Sequence, residues 1–255
     1  MITHPSFPVD PWQIREVGLD TTVLAQSESL FALSNGHIGV RGNLDEGDPN
    51  GLPGTYLNSF FEVRPLPYAE AGYGFPETGQ TILNVTNGKL IRLLVDDEPF
   101  DLRYGELCHH ERVLDLRSGV LHRTVEWASP SGQRIRLRTT RLVSLAQRSI
   151  LGIHYEVEAV GDTARVVVQS GLVANEHLPA QSGDPRVAAL LDNPLHAVEH
   201  GGTGTRALLQ HRTATSKLHV AAGMDHLIEA EHGFGSELTV HEDWARLSVN
   251  HLLQP

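Results

Sequence analysis

The sequence predicts an all-β protein with little helix, organised as an antiparallel sandwich or barrel. From Leu107 onward, segments that alternate apolar and polar residues recur roughly every dozen residues, as the strands of such folds do. Turn-forming residues stand between these segments, as at Gly161-Asp162. The one helix that the sequence predicts is short, at residues 185–191, where a proline stands in a first-turn position.

The first hairpin is predicted around Asn35-Gly36. Residues 30–33 form an apolar run that predicts a short buried strand, and Ile38 resumes the alternation after the turn. Asn-Gly is the strongest short-range signal for a type I′ turn, in which both central residues have positive φ. We therefore expect Asn35 and Gly36 to form a structural turn, with Leu33 and Ile38 on its buried side.

Further strands follow along the chain. A second hairpin is predicted at the turn sequence Asp96-Asp97-Glu98-Pro99, which comes directly after an apolar strand. The strands predicted in this and the following part of the chain are 90–95, 113–116, 120–127, 134–138, 150–160 and 164–172.

Composition limits the classes of partner. The chain has 20 Lys and Arg residues against 31 Asp and Glu residues, for a formal net charge of −11. Nucleic acids and anionic membranes select basic surfaces, so we expect neither as a partner. Cys108 has no second cysteine to pair with, and the start MITHPSFPVDPW lacks the regions of a secretory signal. These features predict a cytoplasmic protein.

Two groups of potential metal ligands are better explained without a metal. Neighbouring residues of a strand point to opposite faces, so His109-His110-Glu111 is poorly placed to chelate one ion. The loop 45–50 crowds carboxylate and amide oxygens together, but it lacks the EF-hand spacing and has ordinary turn chemistry. We expect no metal and no bound cofactor.

Aromatic residues are concentrated in one segment. Six of the 15 Phe, Trp and Tyr residues fall within residues 56–75, and the predicted loop 62–80 contains Tyr68, Tyr73 and Phe75. Long loops in compact domains are usually functional or disordered, and aromatic rings suit contact with sugar rings or with a protein surface. The alternative is a loop that folds back over one sheet, with all three rings buried.

A longer motif covers this first hairpin. The segment ESLFALSNGHIGVRG, with the flanking residues, strongly resembles the N-terminal domain of glycoside hydrolase family 65, which contains maltose, trehalose and kojibiose phosphorylases and related trehalose hydrolases. The likeness is densest over residues 12–104. Ser34 stands where glycine is common and His37 where an aromatic residue is common, and neither departure affects the hairpin. The resemblance is carried by residues 12–16, 28–42, 46–47 and 54–56.

The resemblance implies a large antiparallel β-sandwich, a super-sandwich like that of galactose mutarotases. In the family this domain precedes a helical linker and an (α/α)6 barrel, which holds the catalytic glutamate and the phosphate-binding residues. We therefore expect no catalytic residue here. The expected partners are the chain's own C-terminal catalytic barrel and an α-glucoside disaccharide, with inorganic phosphate as co-substrate if the parent protein is a phosphorylase. We also expect a homodimeric parent protein, and a chain that ends before the last strands of its domain.

The charged residues after the hairpin are candidates for the contact with that barrel. We expect Arg41 and Glu46, with Tyr68, Tyr73 and Phe75, to lie at the domain interface or at the rim of the substrate site. The alternative is that Arg41 pairs with Glu46 within a local loop.

Three functions remain open from the sequence. The first is a non-catalytic domain of an enzyme that cleaves α-glucosides by phosphorolysis or hydrolysis. The second is a stand-alone carbohydrate-binding module, which the aromatic loop favours. The third is a mutarotase-like sugar epimerase, which needs a histidine acid and a carboxylate base in one cleft.

Overall fold

Nearly all regular structure in the chain is antiparallel strand. The computed structural model describes residues 5–66, 72–176, 191 and 193–255. Helical structure in these residues is a 3-10 turn at Thr21–Val23 and the short helix α1 (Leu24–Leu30). The strands are, in chain order, β1 (Val9–Asp10), β2 (Gln13–Val17), β3 (Leu33–Ser34), β4 (Ile38–Val40), β5 (Thr55–Leu57), β6 (Phe61–Pro65), β7 (Thr78–Ile82), β8 (Asn87–Val95), β9 (Glu98–Pro99), β10 (Glu106–Asp115), β11 (Val120–Ala128), β12 (Arg134–Val143), β13 (Leu151–Ala159), β14 (Ala164–Val173), β15 (Leu195–Thr203), β16 (Arg206–Thr213), β17 (His219–Met224), β18 (Gly235–Val240) and β19 (Trp244–Leu253).

Two large sheets form a sandwich. One has the order β1-β2-β10-β11-β12-β13, and the other has the order β18-β19-β14-β8-β9. Val95 of β8, Val125 of β11 and Leu137 of β12 are fully buried in the core between them. The Trp127 ring meets Phe100 edge-on, with ring centroids 5.3 Å apart. The predicted all-β sandwich is confirmed.

Three smaller sheets complete the fold, in the orders β3-β4-β5, β6-β7 and β15-β16-β17. The first of them packs on one end of the six-stranded sheet. Phe31, Leu33 and Val40 share a second apolar cluster there with Leu114 of β10 and Leu121 of β11. The six-stranded sheet therefore supports two separate cores.

The predicted meander is confirmed. The predicted strands at 113–116, 120–127 and 134–138 overlap β10, β11 and β12, and those at 150–160 and 164–172 agree with β13 and β14 to within a residue at each end. Asp96 and Asp97 join β8 to β9, and both have positive φ (47° and 71°), as a type I′ turn requires.

The prediction of a strand at residues 30–33 is wrong for its first three residues. Leu30 ends α1, and the strand begins only at Leu33. The buried face of α1 is formed by Leu24, Ser27 and Glu28. These residues have the helical spacing i, i+3, i+4, but two of them are polar, so the pattern lacks the apolar stripe that indicates a helix. The one helix that the sequence predicts, at 185–191, lies outside the described residues except for Leu191.

The prediction for Asn35 is also wrong. Gly36 has a φ of 79°, but Asn35 is not among the residues with positive φ. Ser34 pairs with Gly39, and the Asn35 N–H donates to the Ile38 carbonyl, so Gly36 and His37 are the central residues. Positive φ at the first central residue alone is the pattern of a type II′ turn. The Asn35 side chain instead accepts from the His37 and Ile38 N–H groups and donates to two distant carbonyls.

The aromatic loop is shorter than predicted. Its ends belong to β6 and β7, which pair over Phe61↔Ile82 to Pro65↔Thr78. Glu62 lies at the base of this hairpin, on β6. Its carboxylate accepts hydrogen bonds from the backbone N–H groups of Thr215 and Ser216.

Candidate functional site

A row of polar side chains crosses the inner face of the six-stranded sheet. Each member faces the next directly across adjacent strands, so that all lie on one face of the sheet. We call this row the polar belt; its members are Glu16, Arg112, Arg123, Thr139 and Tyr155. It divides the apolar core of the sandwich from the cluster beneath β3 and β4.

The acidic loop at residues 43–48 lies against this belt. Arg123 donates to both oxygens of Glu46, at 2.6 and 2.7 Å, and to Asp45 at 3.2 Å. Asp45 also accepts from Thr139 at 3.0 Å and pairs with Arg141. All of these groups are buried. Since unpaired buried charges are costly, the loop and the belt depend on each other.

The charges of the belt shift the pKa of the groups around it. Burial by itself raises the pKa of Asp45, but the positive charges of Arg141 and Arg123 outweigh it, so the pKa is lowered. Burial is also the main reason that the pKa of His110 lies well below its usual range, with Arg123 and Arg112 contributing. His110 donates from Nδ1 to the Gly18 carbonyl at 3.0 Å, which leaves Nε2 as an acceptor near Arg123. His110 is therefore neutral.

A second part of the network joins α1 to the belt. Arg112 donates to Glu16 at 2.7 Å, to the Gly42 carbonyl at 2.8 Å and to the Ser27 hydroxyl. Gly42 lets the chain pass close to Phe31 at the end of α1, because a Cβ there would lie 2.5 Å from Cβ of Phe31. One guanidinium thus fixes the middle of α1 and the arginine-glycine step of the motif.

Arg41 and Glu46 do not pair with each other. Arg41 donates to the carbonyls of Leu52 and Ala25, and its guanidinium lies 3.6 Å from the Glu28 carboxylate. Its side chain is 19% exposed. Glu46 is 4% exposed, and its charge is compensated by Arg123. The local pair considered from the sequence is therefore absent, and Arg41 is the more accessible of the two.

Lys89 is a buried lysine on β8. Its amino group donates to the Thr55 hydroxyl at 2.9 Å and to the Asn87 side-chain oxygen at 3.0 Å. Burial lowers its pKa to about 7, and the nearby charge of Arg141 acts in the same direction. The lysine is 2% exposed, so its amine is not accessible to a substrate. It connects β8 to β5 through the hydrogen bond to Thr55.

The tip of the β6–β7 hairpin is the most exposed aromatic feature among the predicted site residues. Tyr73 is fully exposed and Phe75 is 54% exposed. Tyr68 lies outside the described residues. The alternative in which the loop buries its rings is excluded for Tyr73 and Phe75. Such rings suit contact with another surface, and the anchored Glu62 holds the base of the hairpin in place.

The histidine pair has the arrangement expected of a strand. His109 is exposed and His110 is buried, so the two rings lie on opposite faces of β10. The described residues contain no group of three His, Cys, Asp or Glu side chains that could hold a metal ion. Within them, no helix is both long enough and apolar enough to cross a membrane.

Sequence reasoning missed the buried arginines that pair with the acidic loop, Arg123 and Arg141, although a signal for them exists. In β11, Arg123 has the same parity as Leu121, Val125 and Trp127, and in β12 Arg141 has the same parity as Leu137. An arginine at an apolar parity of a half-buried strand predicts a buried cation, which requires an acidic partner elsewhere in the chain.

The chain has clear relatives. It is 61% identical over its whole length to an uncharacterized glycosyl hydrolase of Mycobacterium tuberculosis, of which it spans 32%. It is 33% identical to an α,α-trehalose phosphorylase of Thermoanaerobacter brockii, over 96% of the chain and 32% of the relative. The chain thus spans about a third of the length of these curated relatives.

A solved structure shares the fold. A chain provisionally called a kojibiose phosphorylase, from the human microbiome, matches with a TM-score of 0.84 and 22% identity, over 98% of this chain and 31% of that one. The family model for the N-terminal domain of glycosyl hydrolase family 65 matches residues 14–255. The chain therefore belongs to glycosyl hydrolase family 65, as its N-terminal domain.

Proposed function

We propose that the parent protein cleaves an α-linked glucose disaccharide, by phosphorolysis or hydrolysis, and that this domain supports the catalytic domain without supplying a catalytic group. The observation that carries the proposal is the similarity to a protein named α,α-trehalose phosphorylase over 96% of the chain. Trehalose is therefore the first disaccharide to test, followed by maltose and kojibiose. The phosphorylase alternative adds inorganic phosphate as co-substrate.

The state of the buried carboxylates supports a non-catalytic role. Inverting cleavage by hydrolysis uses an acid and a base roughly 6.5–9.5 Å apart, with substrate and water between them. Three of the buried acids of this domain, Glu16, Asp45 and Glu46, are each held by an arginine inside the core. None of the three is accessible to a sugar.

The hairpin tip is the proposed contribution of this domain to the active enzyme. Tyr73 and Phe75 are exposed at the end of a hairpin whose base is anchored, and Arg41 is partly exposed. In this proposal the tip contacts the catalytic domain, of the same subunit or of a second subunit in a homodimer. The exposed Cys108 suits a reducing compartment, so the parent protein is proposed to act in the cytoplasm.

The test uses the full-length protein. Purified protein is incubated with trehalose, maltose, kojibiose or nigerose, with and without phosphate, and glucose and glucose 1-phosphate are measured separately. Phosphorolysis gives glucose 1-phosphate that depends on phosphate, and hydrolysis gives glucose alone. Failure to cleave any of these α-glucosides would contradict the proposal.

A second function, a carbohydrate-binding module, is favoured by the same exposed rings. Sugar rings stack on accessible tyrosine and phenylalanine side chains. Calorimetric titration of the chain with malto-oligosaccharides tests it: binding that is lost in Tyr73→Ala and retained in Tyr104→Ala would favour this function. Tyr104 is a suitable control because it is also exposed, at 63%, and lies outside the hairpin.

A further inference from the structure

Arg64 is a partly buried cation without a hydrogen-bond partner in the described part of the domain. It lies on β6, opposite Gly79 of β7. Its Nε and Nη1 atoms are buried, and neither donates to an acceptor within the residues that the structure describes. Buried polar groups are almost always hydrogen-bonded, and a buried charge without a partner is costly. The position of this guanidinium therefore requires an explanation.

The other charged residue of β6 is already paired. Glu62 lies two residues before Arg64, on the same face of the hairpin. Its carboxylate accepts hydrogen bonds from the backbone N–H groups of Val63, Thr215 and Ser216, at 2.7, 2.9 and 2.8 Å. The buried acid thus stabilises the base of the hairpin against the turn between β16 and β17. Arg64 needs a different acceptor.

The hairpin that carries Arg64 has the composition of a docking element. Ile82, on the opposite face, is 67% exposed, in addition to the exposed Tyr73 and Phe75 of the tip. Protein interfaces are enriched in arginine and aromatic side chains. Within the described residues, β6 and β7 pair only with each other. A two-stranded hairpin is marginally stable by itself, so contact with a further surface would stabilise it.

The guanidinium specifies the chemistry of the missing acceptor. Arginine presents its N–H donors in a planar fork that matches a carboxylate, so that two hydrogen bonds form in parallel. A carboxylate also compensates the positive charge, whereas a neutral carbonyl or hydroxyl does not. The Arg64 side chain is only partly buried as a whole, and its flexible stem lets the fork turn toward a docked surface. An aspartate or glutamate on that surface is the partner that fits.

The remainder of the same polypeptide is the best source of this carboxylate. The relatives are about three times as long as this chain. A buried unpaired charge is costly in every molecule, so its partner has to be a permanent neighbour. A group in the same polypeptide is present at a high effective concentration, whatever the concentration of the protein. A second subunit supplies the group only after the subunits have associated.

We propose that Arg64 anchors the β6–β7 hairpin to the catalytic domain of the same polypeptide, by pairing with a carboxylate of that domain. Arg64 is then a positioning residue for the hairpin tip and contacts no substrate. The inference rests on the proposed function, in which the tip contacts the catalytic domain. It adds the side chain that holds the contact, the chemistry of its partner and the polypeptide that supplies it.

Carbodiimide coupling in the full-length protein identifies the partner. Arg64→Lys keeps the positive charge and supplies an amine, which the reagent joins directly to a carboxylate in contact with it. Arg138→Lys in the same molecule is the internal control, because Arg138 lies 2.9 Å from Glu156 and 3.4 Å from Glu158. Mass spectrometry of the digest should show position 138 joined to one of these acids, and position 64 joined to an aspartate or glutamate beyond residue 255.

The other outcomes of this coupling contradict the inference. They are a link from position 64 to an acid within residues 1–255, a link between copies, which doubles the mass on a denaturing gel, and no link at position 64 while position 138 reacts. Coupling does not depend on catalysis. The expected link in a protein that cleaves no α-glucoside would contradict the proposed function alone, and an active enzyme without the link would contradict this inference alone.

The melting temperature of the full-length protein gives a second test, in which the sign of the change decides. Arg64→Met keeps most of the stem and removes the charge. If Arg64 is paired, the substitution leaves its partner carboxylate uncompensated, and the melting temperature should fall by at least about 2 °C. Arg92→Met is the matched control, since Arg92 is exposed on β8, and should have no effect. An unchanged or higher melting temperature for Arg64→Met would show that the guanidinium has no partner in the full-length protein and would overturn the proposal.

Discussion

At the scale of single residues, the main feature is a charged network inside an acidic protein. Arg123 is one guanidinium between two buried carboxylates, Asp45 and Glu46. Burial opposes its charge, but the two acids more than compensate, so its pKa is raised. Such networks add little net stability compared with apolar packing, but the loss of one member leaves the others uncompensated. The geometry thus couples the acidic loop to the sheet.

Arg123→Met should destabilise the domain by roughly 3–5 kcal/mol, because it leaves two carboxylates buried without their partner. Urea denaturation monitored by tryptophan fluorescence measures the change. Arg138→Met is the matched control, since Arg138 is 42% exposed and pairs with Glu156 on the outer face of β12. Equal effects of the two substitutions would contradict the role given to the network.

Lys89 makes stability depend on pH. Its pKa falls from a model-compound value of 10.5 to about 7 on folding. Between these values the unfolded chain holds a proton that the folded chain has released. Stability therefore rises with pH from about 7 toward 10, with a slope of up to about 1.4 kcal/mol per pH unit from this group.

Lys89→Met removes this contribution. Between pH 7.5 and 9.5, the free energy of unfolding of the unmodified chain should rise relative to that of the variant. Denaturation curves at several pH values give the difference. A difference that is constant across this range would show that Lys89 is protonated in the folded domain.

At the scale of elements, the alternation of strands was predictable because each meander strand has one apolar face. The helix α1 could not be predicted in the same way, because its buried face includes Ser27 and Glu28. Hydrogen bonds, rather than apolar contacts, stabilise these two side chains in the interior. Ser27 donates to Glu16, and Glu28 accepts from the N–H groups of Gly51 and Leu52. These partners are distant in sequence, so no local pattern reveals them.

The first hairpin is a second case in which contacts distant in sequence limit what a local pattern can predict. Asn-Gly correctly located a turn, but the register places Gly36 and His37 at its centre, because the Asn35 side chain is used to bind the carbonyls of Ser144 and Arg148. A tertiary contact thus shifted the turn by one residue. The positive φ of Gly36 is the part of the prediction that is confirmed.

Gly36→Val should destabilise the domain by more than about 1 kcal/mol, because a β-branched residue is strained at positive φ. The backbone accounts for the cost, since a Cβ at this position meets only the end of the Arg148 side chain, at 3.6 Å. Gly36→Asn should be milder, because asparagine tolerates this conformation. Identical urea midpoints for the three proteins would contradict the observed turn.

A substitution at the β6–β7 hairpin tip can distinguish a structural role of Tyr73 from a functional one. Tyr73 is fully exposed, so Tyr73→Ala should leave the melting temperature of the chain unchanged. In the full-length enzyme the same substitution should lower kcat/KM, and Tyr104→Ala should not. Unchanged kinetics would remove the functional claim for the tip, and a large fall in melting temperature would mean that the ring is part of the core.

At the scale of the whole molecule, the sandwich and the family could be predicted from the sequence. The motif of residues 28–42 is specific because several of its members meet in one place: Glu28 and Gly42 both join the network around Arg112 and Arg41. The arginine network was not predicted, since its buried arginines, Arg112, Arg123 and Arg141, are separated from their acidic partners by more than 75 residues.

The central proposal is that the parent protein is an α-glucoside-cleaving enzyme and that this domain contains none of its catalytic groups. The most direct test compares the isolated chain with the full-length protein in one assay, using trehalose, maltose, kojibiose or nigerose with and without phosphate. Circular dichroism first establishes that the isolated chain is folded. The account predicts that glucose or glucose 1-phosphate is released by the full-length protein and not by the isolated chain. Turnover by the purified chain alone, at a rate proportional to its concentration, would contradict it.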